Sequence, residues 1–484
     1  MNTHSQFTVK SLPLRIHMLG ICGTAMVALA GGLKAQGCRI TGSDGQVYPP
    51  MSDQLKALAI PCNEGYAPEN IPEDTELVIV GNVIRESNPE AEAMRQRGLP
   101  YLSMAEAVYR FLIADKLSIA AVGTHGKTTT TSLAAHTLVE AGGDPGVLVG
   151  GVAKNLNGNF RLGKGRYFVI EGDEYDTAYF DKTPKFFKYH PGVVLFTSLE
   201  FDHADIYSDL DQIRGHFRTL LKRLPADGLL VANGDDENVR ALLPVADCQV
   251  ITYGEGADVD CRIVDWQDEG HEARFQLNWQ GREERWRLPM AGRYNAGNAT
   301  AVRIMAGHLG FSAEAIAAAF STFEGVRRRQ EVRGEAGGVI VIDDFAHHPT
   351  AVRLTIEAMV KKYQGKRIWS VFEPRSFTAR SARFQAEFTD AFRGAERLIL
   401  APPFSPEGAS TDNLLDTEAI AATLEEQGQW AKSMNNTDAI LDCLLRETKS
   451  GDVVLIMSNG GFDNIHARLL AGLGDRTSEP STRQ

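Results

Sequence analysis

The sequence predicts an α/β protein of three domains, each built on a largely parallel sheet. Two observations carry this. Short apolar runs recur along the chain, each ending in a polar or glycine-rich loop and usually followed by a helical pattern. The chain also has 484 residues, beyond the roughly 250–300 at which a single core stops growing.

The runs, in order, are Arg15–Leu19, Leu77–Val80, Leu117–Val122, Tyr167–Ile170, Val193–Leu199, Val339–Ile342, Arg367–Phe372, Arg397–Leu400 and Val453–Met457. Apolar runs without alternation suit strands buried on both faces, as in a parallel sheet between two helix layers. Ligands of such sheets collect beyond the carboxyl ends of the strands, so chemistry is expected in the loops that follow the runs. The pattern restarts near Asp115 and again near Glu331, which places domains over 1–114, 115–331 and 332–484. Between Gln249 and Met290 it changes to alternating strand-like pieces with Trp266, Trp279 and Trp286, an expected antiparallel edge to the central sheet. The polar tail Gly474–Gln484 is expected to fray.

Composition limits the partners. Fifty basic against 62 acidic residues leave a net charge of −12, whose far field repels nucleic-acid phosphates and anionic membranes. Any phosphate must therefore be met by local geometry. Six scattered cysteines without a C-x-x-C pair read as reduced thiols. The apolar stretch Ile16–Leu33 is interrupted by Gly20, Gly23, Gly31 and Gly32, so a strand, a turn and a helix explain it better than a signal peptide. No uninterrupted apolar run nears the ~20 residues of a membrane span. A soluble cytoplasmic protein, monomeric or weakly self-associating, is expected.

The strongest motif is the strand Leu117–Val122 followed by Gly123-Thr124-His125-Gly126-Lys127-Thr128-Thr129 and a helical pattern. Backbone N–H groups of such a loop cradle phosphates, and the helix dipole favours their charge. Lys127 would reach the β- and γ-phosphates of ATP, and the Thr128 hydroxyl would bind Mg²⁺. The full phosphate-loop pattern has glycine five residues before Gly126, where this chain has Ala121, so the loop is a shortened variant. Two carboxylate clusters, Glu171-Gly-Asp173-Glu174-Tyr-Asp176 and Glu200-Phe-Asp202-His203-Ala-Asp205, follow buried runs and suit the oxygen chemistry of Mg²⁺.

These motifs, with Gly292-Arg-Tyr-Asn295-Ala-Gly-Asn298 and Asp343-Asp344-Phe-Ala-His347-His348-Pro349, resemble the Mur ligases, ATP-dependent amide-bond formers of peptidoglycan metabolism. The resemblance covers nearly the whole chain. It implies a Rossmann-like N-terminal domain, a P-loop-type central ATPase domain and a Rossmann-like C-terminal domain. It also implies that Lys127 and Thr128 hold ATP and magnesium, that Glu171 and His203 ligate metal, and that Asn295, Asp344 and an arginine of Arg327–Arg329, with Arg328 at its centre, contact the nucleotide. Some members of the family carry a carbamoylated lysine after the His203 position. Here the neighbourhood reads Gly215-His216-Phe217-Arg218-Thr219, and none is assigned.

The N-terminal turn Gly20-Ile21-Cys22-Gly23-Thr24, followed by Ser43-Asp44, is similar to the branch that binds UDP-N-acetylmuramate. Its partial likeness to the dinucleotide fingerprint leaves an NAD-dependent dehydrogenase as a remote alternative, since Cys22 and Ala25 stand where that pattern wants glycine. Within the branch, one member adds L-alanine and another the recycled tripeptide L-alanyl-γ-D-glutamyl-meso-diaminopimelate. The loops Phe372-Glu373-Pro374-Arg375-Ser376 and Met457-Ser458-Asn459-Gly460-Gly461 look like the tripeptide-adding member. Arg375 could hold a substrate carboxylate bidentately, with His348 and Asn459 beside it. The resemblance implies an acyl-phosphate route, and closure of the C-terminal domain to bring Asp344 and the amine pocket to ATP.

Overall fold

The computed structural model describes residues 12–48, 51–268, 270, 272–405 and 413–478. The chain forms two compact units, one of Met1–Glu200, Asp211–Arg262 and Asn298–Phe323, the other of Phe201–Leu210, Ile263–Gly297 and Glu324–Gln484. The expected parallel-rich sheets are present, two in the first unit and one in the second.

In the first unit an all-parallel sheet runs Cys62–Glu64, Arg39–Asp44, Arg15–Leu19, Leu77–Val80, Tyr101–Ser103. Arg15–Leu19 lies between two later strands, with Leu19 level with Ser43 on one side and Val80 on the other. The strand order reverses there, so the loops after these strands open into one crevice. The other sheet of this unit places Leu117–Val122 between Val193–Phe196 and Tyr167–Gly172, all parallel, with Val122 level with Phe196 and Gly172. Three expected site loops thus leave the same sheet edge.

The second unit holds a sheet ordered Glu331–Ala336, Val339–Asp344, Val453–Met457, Ile368–Phe372, Arg397–Leu400, Trp430–Ser433, antiparallel only in its first pair. Met457 is level with both Asp344 and Phe372, which brings the loops after these strands together. Helices cover both faces over cores around Phe388 and Phe392 on one side and Leu444 and Leu469 on the other. The tryptophan-rich stretch forms an antiparallel hairpin, Ala273–Trp279 with Arg282–Leu288, in which Phe275 faces Trp286.

Two expectations are adjusted. The strand beginning at Val193 ends at Phe196, not Leu199. There the Thr197 hydroxyl donates to Val122 O and His125 O, so the chain turns off to brace the glycine loop. The tail expected to fray is helical through Ser478 within Ile465–Ser478; residues 479–484 lie outside the described residues.

Candidate active site

The glycine loop is shaped by close approach. Gly123 has φ +125°, and a Cβ there would lie 2.5 Å from Ser198 O. Gly126, at φ +80°, would bring a Cβ to 2.9 Å from Asn298 Oδ1. Thr124 N–H donates to Ser198 O, His125 N–H to Ser198 Oγ, and His125 Nε2 to the Glu200 carboxylate at 2.6 Å. These bonds fix the loop without using the N–H groups at the start of helix Lys127–Glu140, the donors an anion would take.

Lys127 Nζ donates to Gly123 O at 2.6 Å and to both oxygens of Glu174, at 3.0 and 2.9 Å. Burial opposes its charge, yet Glu174, Asp173 and Glu171 together hold the ammonium above the usual lysine range. Burial and the neighbouring Asp173 push the Glu171 carboxyl upward, against the pull of Lys127. Thr128 Oγ1 donates to Glu171 Oε1 at 2.9 Å, and Gly150 N–H to Glu171 Oε2 at 2.8 Å. Thr129 is buried in the same turn. The donors beside this turn, Thr128 and Glu171, are oxygens, the set a hard divalent cation accepts. The site therefore fits Mg²⁺ chemically.

Two members of this site carry roles that sequence reasoning did not assign. Glu174 stood in a carboxylate cluster read as metal ligand, but its partner is Lys127. Lys185 is buried, 3.6 Å from Asp173 and 4.1 Å above the Tyr175 ring, and burial holds its ammonium below the usual lysine range despite Asp173. The available signal was its setting, a lysine between Pro184 and the apolar pair Phe186-Phe187.

In the N-terminal crevice, Gly20 N–H and Ile21 N–H both donate to Ser43 O, and Cys22 N–H donates to Asp44 Oδ2 at 2.8 Å. Gly23 precedes helix Thr24–Ala35. All six residues expected to hold the sugar nucleotide thus belong to one turn and the strand end facing it. Gly42 packs so tightly that a Cβ would lie 2.6 Å from Met18 O.

The second unit holds the remaining expected residues. Asp202 is buried, accepting from Thr378 Oγ1 at 2.6 Å and from His203 N–H at 2.7 Å. Burial would raise its carboxyl, but His203, His347 and His348 outweigh that and hold it well below the usual range. His203 sits in left-handed backbone, φ +54°. His348 caps helix Pro349–Lys362 by accepting Thr350 N–H, while its Nε2 donates to Phe201 O at 3.1 Å. Asn295 is fully buried and donates to Ala291 O. Asp344 is buried, accepting Gln330 N–H and Ala346 N–H, both at 2.8 Å. Arg328 donates to Ser458 O and Gly460 O. These expected nucleotide contacts are all engaged inside their own unit. Arg375 lies 3.9 Å over the Phe404 ring and 3.4 Å from Glu373, against the loop that carries Asn459.

Comparison with known proteins gives the family. Residues 15–116 match the Mur ligase family catalytic domain, 122–306 the Mur ligase middle domain and 328–460 the Mur ligase glutamate ligase domain. A UDP-N-acetylmuramate–L-alanyl-gamma-D-glutamyl-meso-2,6-diaminoheptandioate ligase of Escherichia coli is 36% identical over 96% of this chain and 99% of its own. The chain belongs to the Mur ligase family. It is an ATP-dependent amide-bond-forming ligase. A murein peptide ligase from Psychrobacter arcticus superposes with TM-score 0.71 at 31% identity, covering 96% of this chain and 99% of that one. A UDP-N-acetylmuramate–L-alanine ligase of Clostridium tetani is 33% identical over 92% of this chain and 95% of its own. Among the described residues no helix is long and apolar enough to cross a membrane.

Proposed function

We propose that this Mur ligase joins the tripeptide L-alanyl-γ-D-glutamyl-meso-diaminopimelate to UDP-N-acetylmuramate, with ATP converted to ADP and phosphate. The observation that carries the choice of amine is the 36% identity, over nearly full length, to a ligase named for that tripeptide. The loop Glu373-Pro374-Arg375, whose guanidinium suits a carboxylate-bearing amine larger than alanine, supports it.

A carboxylate is a poor electrophile because its leaving group would be oxide. Transfer of the γ-phosphoryl group to the muramyl carboxylate makes an acyl phosphate; attack by the tripeptide amine then forms the amide and expels phosphate. Two anions meet in the first step, so charge neutralisation and positioning supply most of the catalysis. Lys127 exchanges the Glu174 carboxylate for phosphate oxygens when ATP arrives, and the N–H groups of the helix start take the remaining charge. Thr128 and Glu171 would hold Mg²⁺, which screens the phosphate oxygens when bound. Gly20–Gly23 and the N-terminus of helix Thr24–Ala35 take the diphosphate of the sugar nucleotide.

ADP release measured with each substrate omitted in turn tests the reading. Turnover is expected only when UDP-N-acetylmuramate, tripeptide and ATP are all present; equal or better turnover with free L-alanine overturns the tripeptide assignment. Thermal stabilisation by NAD alone, without stabilisation by the sugar nucleotide, would overturn the ligase substrate set.

A further inference from the structure

We infer that Arg328 is a positioning residue for the amine-substrate pocket: it clamps the Ser458–Gly460 loop beneath Arg375 and does not serve ATP. The inference rests on the proposed function for the identity of that pocket. Arg328 donates from one guanidinium nitrogen to Ser458 O at 2.6 Å and to Gly460 O at 2.7 Å, so it spans the two carbonyls that flank Asn459. Its Nε lies 3.5 Å from Asp343 Oδ1, and its ring partner is Phe345, 5.0 Å away. The backbone is anchored as firmly: Arg328 N–H donates to Glu331 Oε2, and Phe345 N–H donates to Arg328 O. That anchoring holds the residue at φ +59°, a conformation that costs a non-glycine residue about 1–3 kcal/mol and persists only where the surroundings impose it.

The clamped loop interlocks with the loop that carries Arg375. Ser458 Oγ donates to Glu373 Oε2 at 2.5 Å and accepts Gly460 N–H at 2.9 Å. Glu373 in turn faces Arg375. Gly460 lies so close under Arg375 that a Cβ there would sit 1.9 Å from Arg375 Cδ. A small shift of Gly460 therefore moves the guanidinium that would read the substrate carboxylate. Between the two clamped carbonyls, Asn459 Oδ1 is buried and makes no hydrogen bond among the described residues. An acceptor left this way costs about 1–3 kcal/mol, which a mobile loop would recover by turning to water. A rigid clamp keeps it in place for an N–H of the incoming peptide.

Steady-state kinetics with each substrate varied in turn tests the assignment, using Arg328→Ala, Arg328→Lys and the surface control Arg353→Ala. Arg328→Ala is expected to raise KM for the tripeptide by at least about 10-fold, with KM for ATP and for the sugar nucleotide within about 2-fold. Lysine, a compact charge that cannot hold both carbonyls in a fixed fork, should rescue in part. A rise confined to KM for ATP, or a fall in kcat with all KM values unchanged, overturns the inference. Amide hydrogen exchange keeps the clamp testable apart from the substrate reading. Gly460 should exchange faster in both Arg328 variants, and unchanged exchange overturns the clamp. Failure of the unsubstituted enzyme to use tripeptide strikes the functional proposal instead, and leaves the exchange result to decide the clamp.

Discussion

Two glycine turns in the first unit, Gly20–Gly23 and Gly123–Gly126, share a strand–turn–helix setting and differ in their electrostatics. Each follows a central parallel strand and opens a helix. In the central turn a buried lysine faces three carboxylates, and Lys127 is held by Glu174. In the N-terminal turn the organising group is an anion: the Asp44 carboxylate holds Cys22 N–H, while Ser43 O takes two further N–H groups. The same strand–turn–helix device therefore carries a buried cation paired with carboxylates in one place and a carboxylate that fixes the turn itself in the other.

The comparison can be broken from either side. The largest effect is expected at the central turn: Lys127→Ala should lower kcat by at least about 10²–10³-fold, as removal of a group that stabilises developing charge does. Binding of the sugar nucleotide, followed by calorimetry, should be unchanged. Loss of that binding as well would mean that the two turns are not separable. Next is Gly42→Ala, whose methyl would collide with Met18 O and Ile21; overpacking of this kind costs about 1–3 kcal/mol. Thermal stabilisation by UDP-N-acetylmuramate should fall while that by ATP–Mg²⁺ is kept.

Asp44→Ala is expected to act more mildly, since it removes a charge-assisted bond worth about 1.5–3 kcal/mol while other bonds of the turn survive. It should weaken the sugar nucleotide about 10-fold or more without affecting KM for ATP.

A pH effect is expected in the N-terminal sheet. Glu90 is buried, and burial would raise its carboxyl; bonds from His17 and Asn70 outweigh this and hold it below the usual range. A depressed carboxyl stabilises the fold fully above its ordinary pKa, and that contribution is lost as pH falls through the folded value. The unfolding midpoint should therefore drop with acid below that ordinary pKa, and Glu90→Gln should flatten the drop. The smallest effect is expected of Arg353→Ala, which breaks an exposed i,i+4 pair with Glu357 and should cost under about 0.5 kcal/mol in denaturant unfolding.

Legibility followed the range of the forces. The strand–loop–helix around Lys127 was readable because a continuous apolar run, two glycines and a helix start are local signals, and Leu117–Val122 and Lys127–Glu140 appear where expected. The N-terminal turn was readable for the same reason. Glu174 was visible as a carboxylate but not as the partner of Lys127, because the pairing depends on Tyr167–Gly172 lying beside Leu117–Val122 in the sheet. Lys185 was invisible as a site residue, since only its depth beside Asp173 distinguishes it from other lysines. His348 was legible as a candidate beside the substrate; that its ring also caps a helix and ties a loop was not, because the tie needs Phe201 nearby in space.

Taken alone, the sequence was enough to show the α/β class, the family resemblance, the two glycine turns and residue types suited to phosphate and metal. Each is written in contiguous residues or in the period of the apolar pattern. Tertiary structure decided which groups meet: Lys127 with Glu174, Thr128 with Glu171, Cys22 with Asp44, and Arg328 with the carbonyls on either side of Asn459. The reason is physical. Backbone propensity acts over a few residues, whereas a hydrogen bond or ion pair forms wherever the sheet order brings two strand ends level.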